Sequence, residues 1–159
     1  MSDSITVKET DGKIIFWDID GTLAPYRWEG QVRDVKCYGE YICPAIEKGL
    51  YLNRKPSKHM QKVVFECRAE RQYVLGHYTY DKEKHDKIEW LGTHFPEIED
   101  AIFIKTHKSK AEALLKFCKE NGISPNQVLF VDDRVDILKE VEAAGIESWH
   151  ISSFLDWFE

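Results

Sequence analysis

Two short apolar runs constrain this chain more than any other feature: Ile14-Ile15-Phe16-Trp17 and Val128-Leu129-Phe130-Val131, each leading straight into acidic residues. Four apolar residues without polar alternation suit a strand covered on both faces, and sheets covered on both faces are built from parallel strands joined through helices. Further strands are predicted at 72–75, 101–104 and 146–151. Ser57 is expected to cap a helix that buries Met60, Val63, Val64 and Cys67. Asp81 is expected to cap a charged helix that carries Ile88, Trp90 and Leu91 inward and stops before Pro96, since the residue preceding proline avoids helical geometry. Ser109 and Glu112 have capping-box spacing, with Leu114, Leu115, Phe117 and Cys118 forming an apolar stripe up to Asn121-Gly122. A last helix is predicted from 136 to 144. Asp11-Gly12 reads as a hairpin turn, so 5–8 is expected to add an antiparallel strand. The predicted fold is α/β, a Rossmann-like three-layer α/β/α sandwich around a mostly parallel sheet.

A chain of 159 residues suits one domain spanning 1–159. Residues 24–56 sustain neither helical nor strand periodicity, being interrupted by Pro25, Gly30, Gly39, Pro44, Gly49 and Pro56, and read as a small insertion. The formal net charge of −6 argues against broad attraction to nucleic acid or anionic membranes. No stretch has the length of a membrane span, and Met1-Ser2-Asp3-Ser4 does not resemble a signal segment, so a cytoplasmic protein is expected. Cys37, Cys43, Cys67 and Cys118 are irregularly spaced and signal neither zinc nor a disulfide framework, and the six histidines form no metal-binding cluster.

The acidic residues carry the chemistry. Asp18 and Asp20 follow one buried strand, Asp132, Asp133 and Asp136 another, and in a parallel sheet these strand ends lie along one edge. Carboxylates crowded together raise one another's pKa, so a bound cation is the natural neutralising partner. A set made only of oxygen ligands favours magnesium over zinc.

The string Trp17-Asp18-Ile19-Asp20-Gly21-Thr22-Leu23 after an apolar strand resembles the first motif of the haloacid dehalogenase superfamily of aspartate-nucleophile phosphatases. Val131-Asp132-Asp133-Arg134-Val135-Asp136 resembles its fourth motif, in the right order and at a fitting distance. The resemblance covers the first strand and approximately residues 70 to 151. It implies that Asp18 attacks phosphorus to form an aspartyl-phosphate, and that Asp20 protonates the leaving oxygen and then activates water. Mg2+ would be held by Asp18, the main-chain carbonyl of Asp20, Asp132 and Asp133. Superfamily dehalogenases lack the second aspartate of the first motif, so Asp20 favours phosphoryl transfer.

The resemblance also calls for a phosphate-stabilising lysine, for which Lys105, Lys108 and Lys110 compete; Lys110, just after the Ser109 cap, is the expected one. Gly76, His77 and Thr22 take the substrate-binding positions, but the family closes its second motif with a serine or threonine where Gly76 stands here. The His77 amide or the Thr79 hydroxyl is the candidate replacement. Arg134 is expected to pair with its flanking aspartates rather than with substrate. Tyr26, Trp28, Tyr38, Tyr41 and Tyr51 either line an entrance or build a small core. An insertion this short resembles the minimal-cap group, which implies a phosphorylated substrate, either a small molecule or a macromolecule, and leaves a homo-oligomer open. Two alternatives stand beside the enzyme: a regulatory module that keeps the acidic pocket without turnover, and a receiver-like domain, whose acidic pair would precede its acceptor instead of following it.

Overall fold

The computed structural model describes residues 3–25 and 46–157. Five strands, β1 (Ile14–Trp17), β2 (Arg71–Tyr78), β3 (Asp100–Lys105), β4 (Val128–Asp132) and β5 (Glu147–His150), form one sheet in the order β3-β2-β1-β4-β5. All four pairings are parallel. Four helices connect them: α1 (Lys58–Glu66), α2 (Asp81–His94), α3 (Lys110–Asn121) and α4 (Val135–Ala143). This is the α/β, Rossmann-like architecture that the apolar runs predict.

Strict alternation divides the two faces. Ile15, Trp17, Val74, Leu129 and Val131 pack with α1 and α2 in one apolar cluster. Ile14, Phe16, Tyr73, Leu75, Val128 and Phe130 pack with α3 and α4 in the other. Because every residue of β1 and of the β4 run Val128 to Val131 is buried on one face or the other, the continuous apolar pattern is a direct consequence of the layering. Gln72, a buried polar side chain against the first cluster, is satisfied: it accepts from Trp17 Nε1 at 2.9 Å and donates to the Val64 carbonyl at 3.0 Å.

Helix boundaries follow local chemistry. Ser57 accepts from the Met60 amide and Ser109 from the Glu112 amide, as their positions predict. Gly122 ends α3 in the left-handed region at φ 65°.

Three expectations are corrected. Residues 5–8 do not form a strand; Val7–Thr10 is a 3-10 turn, because Ile5 and Val7 are drawn into the α1/α2 core and Thr10 bonds back to the Val7 carbonyl. Ile88 and Leu115 are 47% and 39% exposed: α2 buries Glu83, Asp86 and Lys87 along with Trp90 and Leu91, and α3 buries Lys110, so polar groups occupy places that apolar periodicity assigned to hydrophobes. The N-cap of α2 is Tyr80, with Asp81 already inside the helix. Of the insertion at 24–56, residues 26–45 lie outside those described, as do Tyr26, Trp28, Tyr38, Tyr41, Cys37 and Cys43. Cys67 and Cys118 are free thiols.

Candidate active site

The chain order places β1 and β4 side by side at the centre, with connections leaving to opposite sides, and α/β sheets of this kind offer a crevice at such a point. The Asp18 amide donates to the Val131 carbonyl at 3.0 Å, extending the ladder just far enough to set Asp18 beside Asp132. Beyond Asp18 the chain turns sharply. The amides of Thr22, Leu23 and Ala24 all approach the Ile19 carbonyl, and Gly21 holds φ 82°, a conformation costly for any side chain, which accounts for the glycine.

Alternation then decides which groups meet. Asp18 and Asp132 continue the series Ile14, Phe16 and Val128, Phe130, and so face α3. Lys110, 3% exposed in the first turn of α3, donates to Asp18 Oδ1 at 2.9 Å and to Asp132 Oδ2 at 2.8 Å. Asp133 joins them: Asp18, Asp132 and Asp133 each offer an oxygen, all within 4.8 Å of one another. Asp132 is itself fixed by the Arg134 amide on its other oxygen at 3.0 Å.

Burial pushes the Asp18 carboxyl up, to about 6; Lys110 works against this, while Asp132 and Asp20 add to it. Burial likewise raises Asp133, to about 7, with Asp18 and Asp132 contributing. Three carboxylates against one ammonium leave two negative charges when all are ionised, the deficit a divalent cation supplies.

A sign follows for stability. A carboxyl with a raised folded pKa binds more protons folded than unfolded between the two values, so this cluster favours folding at acid pH and its contribution is lost as pH rises from about 4 to about 7. Magnesium is therefore expected to raise Tm more at about pH 8 than at about pH 5. Thermal unfolding with and without the ion checks this; equal shifts at both pH values would contradict it.

Asp20 faces a different set of partners. Its carboxylate receives Lys87 Nζ at 2.9 Å on one oxygen and the Arg54 guanidinium on the other. Burial alone would raise its pKa, but Lys87 and Arg54 outweigh burial and hold it below the usual carboxylate range. Lys87 is pinned in turn by Glu83, one helical turn earlier, at 2.8 Å, and lies 4.5 Å from the centre of the Tyr51 ring. The Arg54 backbone is anchored by Trp90 Nε1 at 2.7 Å.

The two sets of groups meet at a cavity of about 300 Å³, lined by Asp18, Asp20, Gly76, His77, Lys110, Asp132 and Asp133 among others. Thr22 is not among its lining residues; it is buried and its hydroxyl stands 3.5 Å from Asp18 Oδ2.

The fold matches solved structures. A HAD family enzyme from Bacteroides thetaiotaomicron, crystallised with magnesium and inorganic phosphate, superposes with a TM-score of 0.61 at 17% identity, over 87% of this chain and 93% of that one. A haloacid dehalogenase-like family protein from Streptococcus pneumoniae gives 0.57 at 10% identity, over 92% and 93%. A HAD-superfamily hydrolase of subfamily IA from Geobacter sulfurreducens gives 0.59 at 15% identity, over 86% and 85%. The fold is that of the haloacid dehalogenase-like hydrolases. Neither a protein-family model nor a curated protein sequence matches the chain.

On the haloacid dehalogenase-like frame, the three competing lysines separate by position. Lys110 reaches both central aspartates, Lys105 lies over the Tyr78 ring at 4.5 Å, and the Lys108 carbonyl accepts from His77 Nε2 at 2.8 Å. Burial lowers the His77 pKa, and Lys110 adds to this against the Lys108 bond. Arg134 pairs with Asp136 at 2.7 Å. Thr79 bonds Thr106 through their hydroxyls at 2.7 Å.

Gly76 is explained by its neighbours. A Cβ there would stand 2.9 and 3.2 Å from two ring atoms of Phe103, on the face of α1 and α2 and away from Lys110. Gly76→Ser is expected to cost about 1–3 kcal/mol by overpacking. Urea denaturation checks this, and Gly76→Ser combined with Phe103→Leu should recover part of the loss.

The residues that sequence reasoning missed are Lys87, Glu83 and Arg54. Lys87 and Glu83 belong to a helix whose charge density reads as a solvated surface, and Arg54 lies in the irregular insertion. Their spacing from Asp20 carries no local signal; burial identifies Lys87 and Glu83, and the ion pair with Asp20 identifies Arg54.

Proposed function

We propose that this chain is a member of the haloacid dehalogenase superfamily acting as a magnesium-dependent phosphatase on a phosphate monoester, with Asp18 as nucleophile. The observation that carries the reading is Lys110 bridging Asp18 and Asp132 in a cavity that Asp133 and Asp20 also line. The Bacteroides thetaiotaomicron structure, with its magnesium and inorganic phosphate, supports the choice of metal and ligand.

Asp18, Asp132 and Asp133 fit magnesium by donor type and charge, with the main-chain carbonyl of Asp20 as a further oxygen. When bound, the ion offsets the charge between an anionic nucleophile and an anionic substrate. Lys110 keeps Asp18 oriented and offers its ammonium to the phosphoryl oxygens. An Asp18 oxygen attacks phosphorus as the bond to the leaving oxygen breaks, and that oxygen takes a proton from Asp20. Water then attacks the aspartyl-phosphate, Asp20 accepts the water proton, and Asp18 is released as a carboxylate with inorganic phosphate.

The clamp on Asp20 predicts which half is harder. Lys87 and Arg54 favour the ionised carboxylate, which suits activation of water and opposes donation of a proton. Aryl phosphates, whose leaving oxygens need little protonation, are expected to exceed alkyl phosphates in kcat/KM by about 100-fold or more. An assay of both classes with and without Mg2+ tests the function. Hydrolysis that needs the ion and prefers aryl esters agrees with it; absence of turnover on every ester refutes it.

A second reading has one observation in its favour. Gly76 supplies no hydroxyl, as a regulatory module that binds phosphate without turnover would tolerate. Phosphate binding with no hydrolysis would identify that case.

A further inference from the structure

Each of the two aspartates that begin the turn after β1 is met by a buried ammonium, Asp18 by Lys110 from α3 and Asp20 by Lys87 from α2. The two helices lie on opposite faces of the sheet, so the ammonium groups reach the crevice from opposite sides. Lys87 is 4% exposed, yet it lines the same cavity as Lys110, whereas Arg54 is not among the lining residues. The two cations on Asp20 therefore differ in kind: one faces the space a ligand would fill, the other stands behind the carboxylate.

Lys87 is also held with little freedom. Glu83 binds its ammonium at 2.8 Å and is itself fixed by the Thr79 amide at 2.8 Å, and the His77 carbonyl lies 3.4 Å from the same nitrogen. Together Lys87, Arg54, Asp20 and Glu83 sum to zero charge. The wall next to Asp20 is therefore neutral, and Lys87 is its cation on the cavity side.

We propose that Lys87 is a second phosphate-binding residue, donating to the phosphate oxygen that sits at Asp20, opposite the oxygens served by Lys110. This rests on the phosphatase reading, in which the leaving oxygen lies at Asp20. An ammonium within 2.9 Å of Asp20 Oδ2 stands beside that oxygen in the ester, and beside the fourth oxygen of inorganic phosphate after hydrolysis; the N–H that meets the His77 carbonyl at the long distance of 3.4 Å is the one that turns to it. It supplies on this side of the cavity the donor that Gly76 lacks. Arg54 is a positioning residue that acts through Asp20.

The test is the affinity for inorganic phosphate in the presence of Mg2+, measured by calorimetry and as product inhibition. Lys87→Met is expected to weaken phosphate binding by about 10-fold or more, while Mg2+ affinity stays unchanged. Glu83→Gln with Lys87→Met removes one charge of each sign, keeps the wall neutral as a folded control, and is expected to show the same loss. Arg54→Gln is expected to lower kcat and leave phosphate affinity within about twofold. Phosphate affinity retained in both Lys87 variants, with wild-type protein binding phosphate normally, overturns the proposal and leaves Lys87 as a support for Asp20. Wild-type protein that binds no phosphate and hydrolyses no ester overturns the phosphatase reading together with it.

Discussion

Asp18→Asn is expected to reduce kcat by at least about 10⁴-fold, as removal of a covalent nucleophile does in enzymes of comparable mechanism. The amide keeps the shape of the side chain and one oxygen for Lys110, which donates to Oδ1 at 2.9 Å, so the fold should persist. It cannot form the aspartyl-phosphate. Because the substitution also removes one of the charges crowded around Lys110, the metal-free variant should be as stable as wild type or more so near pH 7, where the buried Asp18 carboxyl is raised to about 6. A pair of measurements checks both halves: kcat on an aryl phosphate and Tm in EDTA. A variant that retains more than a few per cent of wild-type activity would remove Asp18 from the nucleophile's role. Mass spectrometry of wild-type protein quenched during turnover should find the phosphoryl group on Asp18.

Lys110→Met is expected to damage stability and activity together. The ammonium is the one cation hydrogen-bonded to both Asp18 and Asp132 among the described residues. Removing one partner from a buried charge cluster costs about 3–5 kcal/mol, because the remaining carboxylates stay desolvated and unpaired. The cost has a pH sign: it should be largest above about pH 7, where Asp18 and Asp133 are ionised, and shrink toward about pH 5, where they take up protons. Millimolar Mg2+ should recover stability in the variant without recovering kcat, since charge is restored but the donor to the phosphoryl oxygens is not. Urea titrations at two pH values, with and without Mg2+, check this. A loss independent of pH and of Mg2+ would mean that Lys110 acts as packing for α3 alone.

Both variants probe residues that were legible before the structure. Trp17-Asp18-Ile19-Asp20-Gly21-Thr22-Leu23 announces itself because each residue answers a local demand: an apolar strand covered on both faces, a carboxylate at its end, and a glycine at φ 82° in the turn. Ser109 marks the start of α3, and that mark places Lys110 in the first helical turn. Capping, periodicity and turn chemistry act over a few residues, so a single sequence displays them.

The misses share the opposite character. Residues 5–8 have the turn signal of a hairpin, but Ile5 and Val7 gain more from the apolar cluster under α1 and α2 than from pairing at the sheet edge. Ile88 sits outward on α2 because Lys87, Glu83 and Asp86 occupy the inward positions, an inversion that the ion pairs with Asp20 and Lys82 make tolerable.

Gly76 is an absence in the sequence and becomes a packing requirement once Phe103 of the neighbouring strand is beside it. Local order along the chain was enough to establish the strands, the helices and the acidic edge at Asp18 and Asp132. Whether a charged residue faces solvent or the cavity depends on the sheet register and on which helix covers which face, and these are set by contacts between residues 55 to 92 positions apart, as at Trp17 with Gln72, Asp20 with Lys87 and Asp18 with Lys110. Burial in the assembled fold raises the cost of an unpaired charge, so the pairing of Asp20 with Lys87 and Arg54 belongs to the tertiary structure alone.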